Sequence, residues 1–137
     1  LGLGHTGDCL APKKLTFFKQ QAIVTAACGD AHSVVVSIES KGSKSTGTWS
    51  FGSNSRGQCA QPKVGAKIVT PTYVSSVERV QEVACGAMHT LARSDDGEIW
   101  ACGCNEYGQL GIDGKAKFIN RFAVIPAFRD KTPRAIA

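Results

Sequence analysis

Two pairs of residues in this chain have types and spacing that suit chemistry. Cys28 and His32, and again Cys85 and His89, are set apart as C-x₃-H, a spacing that can supply zinc ligands. A zinc site would need both pairs to converge, and residues at equivalent places in separate repeated units stand apart. The simpler reading is a small Cys packed at a strand end and a His that anchors it by hydrogen bonding. Cys102 and Cys104 flank Gly103 as C-x-C, and alternation along a strand sends such side chains to different faces or angles. His32-Ser33 and His89-Thr90 are sequence neighbours, so in a strand they point to opposite faces and cannot form a simple base–nucleophile pair. Asp95-Asp96 precedes Gly97 and reads as a solvated turn. No Gly-x₄-Gly-Lys-Ser/Thr loop is present to cradle phosphate. These residues argue against side-chain catalysis, and neither a metal nor a cofactor is expected.

The elements that position these residues come from an internal repeat. Ala27-Cys28-Gly29-Asp30-Ala31-His32-Ser33 returns as Ala84-Cys85-Gly86-Ala87-Met88-His89-Thr90 at an offset of 57. Trp49-Ser50-Phe51-Gly52-Ser53-Asn54 returns as Trp100-Ala101-Cys102-Gly103-Cys104-Asn105 at an offset of 51. Arg56-Gly57-Gln58-Cys59-Ala60 matches Tyr107-Gly108-Gln109-Leu110-Gly111 at that same offset. One six-residue insertion in the Gly/Ser-rich stretch 39–47 accounts for the change.

Within each copy, Ile23–Cys28 and Val80–Cys85 are β-compatible runs that close on a Gly. Ser33–Ile38 and Thr90–Arg93 follow as second strands. Asp96-Gly97 signals a hairpin, and Glu98–Cys102 is the returning strand. A fourth short strand is expected around Pro12–Phe17 and Pro71–Val74, with Arg121–Val124 as a weaker third copy. No segment has helical periodicity. Four short antiparallel strands repeated every 50–60 residues predict an all-β fold of propeller blades.

Gly108-Gln109-Leu110-Gly111, the Gly86-x-x-His89-Thr90 run and the strand end Trp100–Asn105 together resemble regulator-of-chromosome-condensation repeats. The resemblance covers about two and a half repeats, with boundaries near 1–60, 61–111 and 112–137. It departs at Cys59-Ala60, where the family pattern has Leu-Gly, and a loosened turn is expected there. It implies that Gly29, His32, Gly52, Gly86, His89, Gly103, Gly108, Gln109 and Gly111 are structural motif residues. It also implies a partial β-propeller, a segment of a seven-bladed ring. Leu1-Gly2-Leu3-Gly4 looks like the tail of another Gly-Gln-Leu-Gly element. The chain is accordingly expected to be part of one longer propeller domain, with self-assembly of short pieces as the lesser alternative. Plant photoreceptors of this fold carry Trp in a motif similar to Gly-Trp-Arg-His-Thr. Here Gly29 is followed by Asp30 and Gly86 by Ala87, so Trp49 and Trp100 read as packing residues.

Charge locates the candidate contacts. The net charge of +5 lies entirely in residues 115–137, which hold six Lys/Arg against one Asp. Lys115, Lys117 and Arg121 there, with Lys41 and Lys44 in the insertion, are the candidate partner contacts. The tract shows no alternation of aromatic and basic residues, so direct nucleic-acid readout is not expected. No apolar run approaches the roughly 20 residues of a membrane helix. Six cysteines without a secretory signal suggest reduced thiols and an intracellular, cytoplasmic or nuclear place. The resemblance implies a protein–protein interaction scaffold. Its partner would be a small GTPase or a ubiquitin-pathway protein. Guanine-nucleotide exchange on a GTPase such as Ran is the alternative.

Overall fold

The computed structural model describes residues 1–38, 45–131 and 133–137. Its strands are β1 (Ala22–Cys28), β2 (His32–Ile38), β3 (Thr46–Ser53), β4 (Lys67–Tyr73), β5 (Val80–Cys85), β6 (His89–Ser94), β7 (Ile99–Cys104) and β8 (Phe118–Val124). They form two four-stranded antiparallel sheets, β1-β2-β3-β4 and β5-β6-β7-β8. These are two consecutive propeller blades, and the described residues contain no α-helix.

The consecutive valines Val34, Val35 and Val36 make β2 a strand buried on both faces, which suits β-branched side chains held between neighbouring layers. Blade 1 offers Val34, Val36, Ala60 and Val74 to a shared core. Blade 2 answers with Val80, Val83, Ala92, Cys102 and Phe122. A second cluster of Ile99, Ala101, Leu110 and Ile125 belongs to blade 2. A third joins Val35 and Phe51 of blade 1 to Phe18 of the N-terminal segment. Burial of these apolar groups is what holds sheet against sheet.

The Asp95-Asp96-Gly97 turn closes the β6–β7 hairpin, with Gly97 at φ +89 where a left-handed residue is needed. Ser94 N–H donates to the Glu98 carbonyl at 3.1 Å to complete it. At Cys59-Ala60 the Leu-Gly turn is kept rather than loosened. Ala60 accepts φ +52 where Gly111 has +60, and each N–H reaches its glycine carbonyl, at 2.9 and 3.0 Å.

The strand expected at Pro12–Phe17 does not form. That segment runs irregularly into a 3₁₀ turn at Thr16–Phe18. A fourth strand hydrogen-bonds to a third, as β4 does to β3 and β8 to β7, and no strand precedes Pro12. The other two expected fourth strands correspond to β4, which ends one residue short of Val74, and to β8, each beginning a few residues earlier than expected.

Candidate functional site

The repeat motif builds the seam between the two blades. His32 is 3% exposed at the start of β2, and its Nε2 lies 2.9 Å from Thr90 Oγ1 of β6. Thr90 Oγ1 in turn donates to the Gln58 carbonyl at 2.8 Å. A hydroxyl has one proton, so His32 must carry its own on Nε2 and donate it. The bonds then run in one direction, from His32 to Thr90 to Gln58, and cross the seam twice. Nδ1 of His32 is buried without a partner.

Burial, helped by the neighbouring His89, lowers the His32 pKa from 6.5 to about 4. The ring is therefore neutral at physiological pH, as the direction of the bonds requires.

Gly29 permits the approach. A Cβ there would stand 2.3 Å from the His32 ring and 2.4 Å from the Gly86 carbonyl of the other blade. Gly52 and Gly103 meet the preceding hairpin turns in the same way, 2.4 Å from the Ala31 carbonyl and 2.5 Å from the Met88 carbonyl, with positive φ. A side chain at any of the three would force backbone apart.

Gln58 and Gln109 stiffen their own turns, accepting from the N–H of Arg56 and Tyr107 at 2.8 and 2.9 Å. Asn54 and Asn105 do so from the other side, accepting from Cys59 and Leu110 N–H at 3.1 and 3.2 Å. The sequence reading named neither asparagine nor Thr90 among its site residues. Their identity in type or chemistry at the repeat offset was the signal that could have found them.

Cys59, Cys102 and Cys104 are buried and serve packing and Cys85 is half-buried, whereas Cys28, expected to pack at its strand end, is exposed. Burial pushes Cys59 up to about 12 and Cys85 up to about 11, and raises Cys102 well above its ordinary value. Such thiols are poor nucleophiles. Among the described residues no cluster of three or more His, Cys, Asp or Glu could hold a metal ion.

The charged candidates fall differently. Lys115 and Lys117 sit in the β7–β8 connection and Arg121 partway along the edge strand β8, all exposed. Lys41 and Lys44 lie outside the described residues. Arg56 of the β3–β4 connection reaches Glu106 of the β7–β8 connection at 3.4 Å, so these two loops share one end of the blades. The β6–β7 turn, with Asp95, Asp96 and Arg79 paired to both, occupies the other end. No described helix is long and apolar enough to cross a membrane.

Two packed four-stranded blades joined by a glycine–histidine motif define a repeat-built β-propeller. Family comparison gives the class its name: the regulator of chromosome condensation (RCC1) repeat matches residues 1–36, 47–93 and 96–136. The chain belongs to this family. It is 32% identical over 139 residues to the protein RCC2 homolog of Danio rerio, covering 100% of this chain and 27% of that protein. It is 39% identical over 114 residues to the human X-linked retinitis pigmentosa GTPase regulator, covering 82% of this chain and 10% of that protein. Yeast RCC1 (Prp20), solved bound to Kap60, superimposes with a TM-score of 0.68 at 21% identity, covering 80% of this chain and 26% of that one. The chain thus spans about a quarter of the length of its RCC2 relative.

Proposed function

We propose that this chain is part of a propeller-shaped scaffold of an intracellular protein, and that it binds another protein through the loop end of its blades. The observation that carries the reading is the exposed basic group Lys115, Lys117 and Arg121 on a rigid two-blade frame. Rigid frames present loops at low entropic cost, and function in such folds resides in what docks on them. The pairing of Arg56 with Glu106 engages one acidic group at that end, and the two lysines there outnumber the remaining Asp113.

The test is crosslinking from an engineered photoreactive residue at position 117, compared with one at position 79 on the opposite end. A partner captured from 117 and lost when K115E and R121E are added to the same crosslinking protein supports the reading. Capture should also weaken between about 50 and about 300 mM salt. Capture that ignores both changes, or that is equal from both ends, counts against it.

A second reading, guanine-nucleotide exchange on a small GTPase, is favoured by one observation. The relative at 39% identity is named a GTPase regulator. Exchange works by docking a protein surface against the nucleotide site, so it needs no catalytic side chain. Accelerated release of a fluorescent guanine nucleotide from Ran or another small GTPase would select this reading, and unchanged release across a panel would remove it.

A further inference from the structure

A cleft of about 300 Å³ lies at the end of the blades opposite Lys115 and Lys117, between the linker 74–79 and the β6–β7 hairpin. Ser75, Ser76, Glu78, Ser94, Glu98 and Trp100 line it. Trp100 also packs against the seam core, so the cleft is bounded by two blades that are both present. The first repeat shows why the space is open. Trp49 has the rings of Phe17 and Phe18 edge-on at 4.9 and 6.2 Å, and that of Tyr73 at 5.5 Å. With the copies aligned on Pro12 and Pro71, Ser76 stands in the place of Phe17 and Val77 in that of Phe18. Across the sheet, Val124 replaces Tyr73. The linker is shorter too, with seven residues from Val74 to Val80 against nine from Leu15 to Ile23.

Trp100 Nε1 is buried without a hydrogen-bond partner. In blade 1, Trp49 Nε1 donates to Ser37 at 3.0 Å and Ser37 to Gln21 at 2.6 Å. Ser94, the counterpart of Ser37, donates to Asp96 instead, and Glu78, counted back from the next strand, stands where Gln21 does. Arg79 is held by Asp95 and Asp96. Among the described residues Glu78 and Glu98 have no ion pair. A buried donor needs an acceptor, and two unpaired carboxylates attract a cation. A metal ion meets only the second demand, and no cluster of three His, Cys, Asp or Glu among the described residues could hold one. A peptide segment bearing arginine meets both. Its main chain offers carbonyls, and its planar guanidinium lies on an aromatic face while forking a carboxylate.

We propose that the cleft receives an arginine from an extended segment of a partner protein. Its guanidinium lies between Trp100 and the carboxylates of Glu78 and Glu98, and a neighbouring main-chain carbonyl accepts from Trp100 Nε1. That atom is covered in the free chain, and a side-chain rotation at the rim, ordinary on docking, gives the carbonyl access. This site is separate from the basic loop end, and its partner has the opposite charge.

The probe is an end-blocked Gly-Arg-Gly-Arg-Gly peptide titrated into the intact, isotope-labelled chain. The indole N–H resonance of Trp100 should move downfield and saturate, while that of Trp49 stays in place. The same peptide with citrulline for arginine, alike in shape but uncharged, should bind about tenfold more weakly. Glu78→Gln combined with Glu98→Gln should weaken the arginine peptide by a similar factor at an unchanged melting temperature, since both side chains reach solvent. Equal binding of the arginine and citrulline peptides would overturn the proposal. So would a Trp100 resonance that stays fixed while the peptide binds, or the absence of saturable binding up to about 10 mM peptide.

Discussion

His32 and His89 occupy the same place in two copies of one motif, yet their surroundings differ. His32 is sealed in the seam and bonded to Thr90 of the next blade. His89 is half-buried on the outer flank of blade 2, and no hydrogen bond of its side chain joins it to another strand among those described. Burial lowers the pKa of both, to about 4 for His32 and in the same direction for His89. The motif is therefore an interface device. A blade carries its histidine on one flank and the receiving hydroxyl on the other, and the pair exists only where two blades meet. The tryptophans repeat the lesson on a smaller scale. Trp49 Nε1 donates to Ser37 Oγ at 3.0 Å, and Ser37 donates to Gln21. In blade 2 the counterpart of Ser37 is Ser94, which turns to Asp96, and Trp100 Nε1 is left without a partner.

The strongest way to break the contrast is Gly29→Ala against Gly86→Ala. The first Cβ meets both its own histidine and the backbone of the other blade, while the three atoms nearest the second all belong to the ring of His89. Gly29→Ala should cost about 3–4 kcal/mol in chemical denaturation and Gly86→Ala about half of that, because a side chain can swing away and a carbonyl across a packed seam cannot.

Acid should come next. The unfolded chain protonates His32 near its ordinary pKa of 6.5, whereas the folded chain resists until about 4. Stability therefore falls as pH drops through that window and levels off below it, by about 3 kcal/mol at full extent. His32→Gln should flatten most of that slope in pH-dependent melting, and His89→Gln should change it less.

Thr90→Val removes the hydroxyl, strands the His32 Nε2 proton in the core and leaves the Gln58 carbonyl with only the weaker Cys102 thiol donor at 3.6 Å. A loss of about 2 kcal/mol is expected. Ser33→Ala, on the open flank, should cost under about 1 kcal/mol by the same assay.

Much of this was legible in the residues. Matching offsets of 57 and 51 located the strands, the hairpin turns and the glycines that allow close approach, because repetition displays the same physical demand twice. The irregular course of Pro12–Phe17 was not legible, since a strand needs its hydrogen-bond partner and pattern alone does not show whether one is present. The seam bonds were hidden for a related reason. His32 and Thr90 are 58 positions apart, and nothing in a single copy says that a histidine reaches the residue after the next copy's histidine. Of the basic candidates, Lys115, Lys117 and Arg121 each stand exposed on blade 2, whereas Lys41 and Lys44 lie outside the described residues.

The central claim is that His32 and Thr90 hold the blades together through one shared bond. A double-mutant cycle with His32→Ala, Thr90→Val and the two combined measures that bond directly. The account predicts a coupling of about 1–1.5 kcal/mol between the two changes. Strictly additive losses would contradict it.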